Sequence, residues 1–119
     1  MQTDTKVTVD SAMAPAGAPI TILRFSGDIS STSRDAVLGT YGKLPQEDHR
    51  LIILDFAKVE YLNSSGIALV IQVLIDAGKS GQKIHISGLT PHFQKVFTMV
   101  GITRYAPLFP DEAAAGAAF

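Results

Sequence analysis

Among the side chains of this sequence, those of Ser64 and Ser65 are best placed to react, because each carries a hydroxyl group at the predicted start of a helix. They stand between Asn63 and Gly66, directly before an apolar run over residues 67–75. This pattern predicts a buried helix whose first turn carries two hydroxyls. Gly66 is explained by a close backbone approach or by steric clearance at the loop. N–H groups in a first helical turn lack intrahelical partners and favour negative charge. A serine there can cap the helix, or it can carry a phosphate that changes the surface met by a partner.

The elements that must position these hydroxyls are a strand and a short loop. Residues 51–54 are all apolar, as is typical of a central strand buried on both faces, and the strand is predicted to end at Asp55. A loop over residues 56–62 then leads to a helix from Ser64 to about residue 77, stopped by Gly78. Asp28 follows another predicted strand in the same way. Each carboxylate can contact a partner or accept a turn hydrogen bond.

The rest of the chain alternates between strand and helix patterns. Further strands are predicted over residues 6–9, 20–25, 83–87 and 104–109, with a loop over residues 11–19. Further helices are predicted over residues 34–44 and 91–100, and residues 111–119 form either a short helix or a frayed tail. The fold class is therefore α/β. The whole chain, 1–119, is predicted to be one domain with a core over about 7–109 and an Ala-rich tail over 111–119.

Composition narrows the function classes. Hydrophobic residues make up 46% of 119 residues, enough for a packed core. The net charge is −1 and the ten Lys and Arg residues are scattered, which argues against direct nucleic-acid binding. Without cysteine there is no disulfide, and a cytoplasmic location is expected. No apolar run approaches the roughly 18 residues of a membrane span, and a signal-peptide pattern is missing, so no membrane insertion is expected.

Catalytic and metal-binding patterns are also missing. The elbow Gly-x-Ser-x-Gly of serine hydrolases would need glycine at position 62, where this sequence has leucine. The segment over residues 78–81 contains Lys79 and Ser80 but lacks the upstream glycine of a phosphate-binding loop. His49, His85 and His92 do not have metal-ligand spacing. We therefore expect no enzymatic activity, no metal and no cofactor.

The motifs resemble those of the STAS domain, the fold of bacterial anti-sigma-factor antagonists. The matching segments are residues 25–29 (FSGDI), the strand over 51–55, the loop 63–66 (NSSG) and the segment 84–88 with its following helix, so the resemblance covers about residues 7–109. It implies a small mixed β-sheet packed with helices and no catalytic activity. In this family the loop over residues 63–66 corresponds to a switch loop.

The resemblance also implies a partner and a regulated site. Antagonists of this family bind an anti-sigma factor that is also a serine kinase. The kinase phosphorylates a switch-loop serine, and the complex then dissociates. A phosphatase removes the phosphate and resets the system. By position the acceptor is Ser64, with Ser65 as the second choice. The residues predicted to contact the partner are Asp28, Asp55, Asn63, Ser64, Ser65 and Gly66.

One position departs from the family pattern. Many phosphorylated members have aspartate directly before the acceptor, where this sequence has Asn63. The change keeps the capping geometry and removes a negative charge. It leaves open an alternative, a non-phosphorylated interaction module that serves as a transporter accessory subunit or a signalling scaffold. No oligomeric state and no particular partner follow from the sequence.

Overall fold

A five-stranded mixed sheet forms the centre of the protein in the computed structural model, which describes residues 4–119. The strands follow chain order across the sheet: β1 (Lys6–Met13), β2 (Pro19–Ile29), β3 (Leu51–Leu62), β4 (Lys83–Ser87) and β5 (Leu108–Phe109). β1 is antiparallel to β2, and the other neighbours are parallel. This arrangement confirms the predicted α/β class and the small mixed sheet.

In the described part of the chain, four α-helices cover the sheet: α1 (Arg34–Gly42), α2 (Ser64–Lys79), α3 (Pro91–Met99) and α4 (Glu112–Ala117). Short 3₁₀ turns, Ser31–Ser33 and Ile102–Arg104, precede α1 and follow α3. The first three helices pack on one face of the sheet over the larger core, which includes the stacked rings of Phe25 and Phe56. Within residues 4–119, no helix is both long and apolar enough to span a bilayer.

The second face of the sheet is covered by α4. Ile20, Ile22 and Ile53 form a smaller buried cluster there with Ala115, whose side chain is fully enclosed. Because β3 is buried on both faces, it can be apolar at every position from 51 to 54, as the sequence indicated. Of the two alternatives for residues 111–119, the structure shows the short helix.

Two predicted strand ends were wrong. β2 does not break at residues 26–28, and β3 does not end at Asp55; they continue side by side to Ile29 and Leu62. Their register shifts between Arg24 and Ser26 and again between Gly27 and Asp28, so extra residues bulge out while the pairing goes on. Gly27 adopts φ +80°, which suits glycine. The predicted loop over residues 56–62 is therefore strand.

Smaller differences concern the ends of other elements. β1 reaches Met13, so only a tight turn remains before β2. Gly78 does not stop α2, which continues to Lys79. The last strand has two residues because Pro107 and Pro110 flank it. The predicted domain extent of 1–119 includes residues 1–3, which lie outside the described residues.

Candidate functional site

The first turn of α2 is capped by Asn63. Its side-chain oxygen accepts a hydrogen bond from the Gly66 N–H at 2.9 Å, and its backbone carbonyl accepts from Ile67 N–H at 2.9 Å. Asn63 itself has extended backbone angles (φ −96°, ψ −178°), as helix N-caps do. The capping function that the sequence left open between Asn63 and the serines therefore belongs to the asparagine.

The two serine side chains take no part in this cap. Ser64 and Ser65 are both exposed, and neither side chain hydrogen-bonds to another residue of the part described, 4–119. Leu62, the last residue of β3, and Gly66 flank the segment over residues 63–65, and both are buried. Two accessible hydroxyls thus stand at the positive end of a sixteen-residue helix.

Gly66 fixes this turn against the end of β2. A Cβ atom at this position would lie 2.2 Å from the Ile29 carbonyl oxygen, 2.7 Å from the Ile29 carbonyl carbon and 2.9 Å from the Leu62 side chain. Of the two explanations for Gly66, the structure shows the close backbone approach. The Asn63 N–H also donates to the Ile29 carbonyl at 3.3 Å. The serines consequently stand on a turn held at two points by the same strand end.

Asp28 lies beside this turn. It precedes Ile29 by one residue and pairs in register with Tyr61 of β3, whose exposed fraction is 52%. The Asp28 backbone carbonyl accepts hydrogen bonds from the hydroxyls of Thr5 and Ser33. The half-buried Asp28 thus belongs to the same end of the sheet as Asn63 and Ser64.

Asp55 lies elsewhere, inside β3 on the face covered by α4, with an exposed fraction of 8%. Its carboxylate accepts hydrogen bonds from the Ser87 hydroxyl and the Ala57 N–H, both at 3.2 Å. Burial, reinforced by the neighbouring Glu112 carboxylate, raises the pKa of Asp55 to about 6. The bond to Ala57 is the local turn-type contact that the sequence offered as an alternative. The structure does not bring Asp55 to the exposed serines.

Sequence reasoning missed the ion pairs around Asp55. Arg24 of β2 donates two hydrogen bonds of 2.8 Å to the Glu112 carboxylate and one of 2.6 Å to Asp10 of β1. The Arg24 guanidinium, with help from Asp55, lowers the pKa of Glu112 to about 2, and it also lowers the pKa of Asp10. Asp10, Arg24 and Asp55 fall on one face of adjacent strands, which is evident only once the strand register is known. The cluster anchors α4.

His85 also anchors the C-terminal segment. Its Nδ1 lies 2.8 Å from the Ala115 carbonyl oxygen, and its ring stacks on Phe119 with centroids 3.6 Å apart. Nδ1 must carry the proton to donate to a carbonyl. Among residues 4–119, no three His, Asp or Glu side chains are grouped to hold a metal ion.

Comparison with known proteins places these features in a family. The family model described as the STAS domain matches residues 11–115 of this chain. A similar protein is BtrV of Bordetella bronchiseptica, which is assigned as an anti-sigma factor antagonist; it is 24% identical over 93 residues, which cover 78% of this chain and 80% of BtrV.

Solved structures share the fold at lower identity. An anti-sigma factor antagonist from Mycobacterium paratuberculosis superposes with a TM-score of 0.77 at 18% identity, covering 94% of this chain and 91% of that one. The phosphorylated form of the Bacillus cell fate determinant SpoIIAA gives 0.58 at 18% identity, covering 90% and 96%. A sulfate transporter family protein from Wolinella succinogenes gives 0.68 at 15% identity, covering 80% of each chain.

Proposed function

This chain belongs to the STAS-domain family, and from that premise we propose that it is an anti-sigma-factor antagonist whose binding to an anti-sigma-factor serine kinase ends when Ser64 is phosphorylated. The observation that carries the proposal is the Ser64 hydroxyl, which is exposed on a turn that packs closely against the end of β2. A kinase needs such an accessible hydroxyl, and a docked partner needs such a fixed surface. The proposed function places the chain in the cytoplasm with its kinase and a resetting phosphatase.

The proposed docking surface consists of Asp28, Asn63, Ser64 and Ser65, and we call it the switch surface. Gly66 contributes by holding the turn in place, since its own surface is buried. Asp55 is left out because it is buried on the other face of the sheet. Beyond the serines, α2 continues the surface with the exposed Ala68, so a partner can extend its contact along the helix.

The energetics favour loss of binding on phosphorylation. A phosphate adds about −1.5 to −2 charges and three acceptor oxygens. The helix dipole offsets only about 0.3–1 kcal/mol of the cost of this charge. A partner packed on the switch surface would have to desolvate the phosphate charge that the dipole does not offset, at a cost of several kcal/mol in a tight interface. Phosphorylation therefore acts on the complex much more strongly than on the fold.

Asn63 supports the geometry of this switch while changing its charge. The 2.9 Å hydrogen bond from the Gly66 N–H is the one that an aspartate cap would accept, so the turn should have the same geometry as with aspartate at this position. A kinase that recognises the shape of the turn should accept Ser64. A kinase that requires the aspartate charge should not.

The second candidate function is the non-phosphorylated interaction module. One observation favours it, the missing acidic charge at Asn63. The fold is also shared with the sulfate transporter family protein. At 15% identity this similarity extends to the fold alone. The two candidates differ in whether Ser64 receives a phosphate.

The deciding experiment incubates the protein with ATP and each anti-sigma-factor kinase encoded in its source genome, followed by mass spectrometry of the Ser64 peptide. We expect one phosphate in the parent protein and in Ser65→Ala, and none in Ser64→Ala. Phosphate that persists in Ser64→Ala and disappears in Ser65→Ala would identify Ser65 as the phosphorylated residue. No phosphate in any variant would favour the interaction module.

A further inference from the structure

The outer edge of β1 is open. Within residues 4–119, β1 pairs only with β2, and seven of its eight residues are exposed, Val7 being the half-buried exception. Alternate residues of such a strand direct their N–H and C=O groups away from the sheet, where they can pair with another strand. β1 contains no proline or glycine that would block such pairing. It is therefore a template for β-sheet extension.

The opposite edge of the sheet differs in this respect. β5 has two residues, and Pro107 and Pro110 stand on either side of them. Proline cannot donate a backbone hydrogen bond, so this short edge is protected against pairing. β1 is therefore the edge of the sheet that is available for pairing with another strand.

The sequence of β1 is complementary to itself in one antiparallel register. When Thr8 lies opposite Thr8 of a second copy, Lys6 faces Asp10 of that copy, and the same pair forms again on the other side of the axis. Val7 faces Val9, which is 49% exposed in the single chain. Opposite charges and β-branched residues in directly opposed positions both stabilise strand pairs.

Asp10 remains suitable as a partner for Lys6 although it already contacts Arg24. One Asp10 oxygen accepts from Arg24 at 2.6 Å and the other from the Ser11 N–H at 2.8 Å, and the side chain is 56% exposed. The Arg24 contact lowers the pKa of Asp10, so its carboxylate stays ionised near neutral pH. Lys6 of a second copy can approach it from the exposed side.

From this edge and its charge pattern, we propose that two copies of the chain associate through antiparallel pairing of β1 around a twofold axis at Thr8. The two five-stranded sheets then form one continuous sheet of ten strands. The directly paired segment, residues 6–10 of each copy, is short, so the dimer is weak and forms at high protein concentration. β1 contains no residue of the switch surface, so the inference does not depend on the proposed function.

The absence of cysteine makes the register directly testable by disulfide trapping. Thr8→Cys places two thiols opposite each other on the proposed axis, and either type of antiparallel pair allows a disulfide at that separation. Oxidised glutathione supplies the oxidant and is reduced as the bond forms. The control is Thr103→Cys, an exposed position far from β1 in sequence and not in the sheet.

We expect the Thr8→Cys dimer to form at least about tenfold faster than the Thr103→Cys dimer, because pairing raises the effective thiol concentration. Equal rates would overturn the proposal. Ser11→Cys tests the competing register centred on Ser11, which pairs Val9 with Met13 but leaves Asp10 opposite Ala12. Faster trapping of Ser11→Cys than of Thr8→Cys would overturn the proposed axis.

A charge reversal tests the Lys6–Asp10 pairing. In the Thr8→Cys background, Lys6→Glu places two carboxylates opposite each other and should slow trapping several-fold. Lys83→Glu makes the same charge change at the exposed start of β4 and should leave the rate unchanged. Equal slowing by both substitutions, or by neither, would contradict the proposed contact.

Discussion

At the scale of single residues, the switch surface depends on what two neighbours of the serines do. Asn63 binds the Gly66 N–H, and Gly66 lets the turn approach the Ile29 carbonyl more closely than any other residue could. Neither contact involves a serine side chain. The Ser64 side chain is therefore positioned by the backbone and makes no hydrogen bond within residues 4–119, which suits the proposed phosphorylation.

Gly66→Ala should destabilise the fold. Its Cβ would meet backbone atoms of Ile29 at 2.2 and 2.7 Å, which cannot move aside as a flexible side chain could. We expect a loss of about 1–3 kcal/mol or more in the free energy of unfolding, measured by urea denaturation. The matched control is Gly78→Ala, also in α2, where the new Cβ would meet nothing within 4 Å apart from its chain neighbours and the backbone of its own helix. It should gain up to about 1 kcal/mol. Equal midpoints for the two variants would contradict this account of Gly66.

Asn63→Ala should cost about 0.5–2 kcal/mol in the free energy of unfolding, because it removes the cap of α2. Asn63→Asp keeps the acceptor and adds a negative charge at the positive end of the helix, so it should be at least as stable as the parent. Thermal denaturation of the three proteins under identical conditions provides the measurement. A stable Asn63→Ala variant would mean that the 2.9 Å bond contributes little.

At the scale of elements, α4 is as much a part of the fold as the strands. It closes the second face of the sheet through Ala115 and through the two Arg24–Glu112 hydrogen bonds, and Phe119, just beyond it, stacks on His85. Its six residues cannot form a stable helix alone, because isolated helices shorter than about 12–15 residues are marginal. Packing on the sheet therefore holds α4 in shape.

Removal of residues 112–119 should expose Ile20, Ile22 and Ile53. Fully burying one isoleucine side chain is worth about 1.5–3 kcal/mol, and the three are only partly covered by α4, so we expect a loss of about 2–5 kcal/mol. Urea denaturation and binding of a hydrophobic dye measure the two consequences. Phe119→Ala should give a smaller loss of the same kind. A truncated chain as stable as the parent would show that α4 is dispensable.

The carboxyl pair Asp55 and Glu112 should make stability depend on pH. The pKa of Asp55 is raised from 3.8 to about 6, so its contribution to stability is full below about pH 3.8 and is lost as pH rises through about 6. The pKa of Glu112 is lowered from 4.5 to about 2, so its contribution is present above about pH 4.5 and is lost as pH falls through about 2. Between pH 4.5 and 7, the change therefore reports mainly on Asp55.

The measurement is the free energy of unfolding at pH 4.5 and pH 7 for the parent and for Asp55→Asn, which keeps the shape of the side chain and cannot ionise. From pH 4.5 to pH 7, the free energy of unfolding should fall more for the parent than for the variant. Arg24, Asp10 and Glu112 are present in both proteins, so their effects largely cancel. Parallel profiles for the two proteins would show that Asp55 has an ordinary pKa in the folded state.

Elements differ in how far they could be predicted from sequence. The start of α2 was predictable, because Asn63, two serines and an apolar run are local signals within a few residues. The continuation of β3 past Asp55 was not, because it depends on bulged pairing with Gly27, a residue distant in sequence. Arg24 and Glu112, 88 positions apart, meet only once the sheet has formed. The positions of Ser64 and Gly66 were thus accessible to sequence reasoning, and the position of Asp55 was not.

At the scale of the whole molecule, the sheet separates three surfaces with different structural or proposed roles. The end of the sheet beside α2 carries the switch surface, the second face carries α4 and its ion pairs, and the outer edge of β1 is left for pairing. Because the Ser64 side chain is exposed, a charge added there should not disturb the packing of the core. We expect Ser64→Asp to unfold within about 1 kcal/mol of the parent, since the helix dipole favours the new charge.

The affinity of the cognate anti-sigma-factor kinase for the parent protein, compared with protein quantitatively phosphorylated on Ser64, is the most direct test of the proposed switch. Isothermal titration calorimetry of both forms, with Ser64→Ala as the control that keeps binding, gives the comparison. We predict that phosphorylation weakens binding by about 100-fold or more, equivalent to about 2.7 kcal/mol. Equal affinity of the phosphorylated and parent proteins would contradict the account.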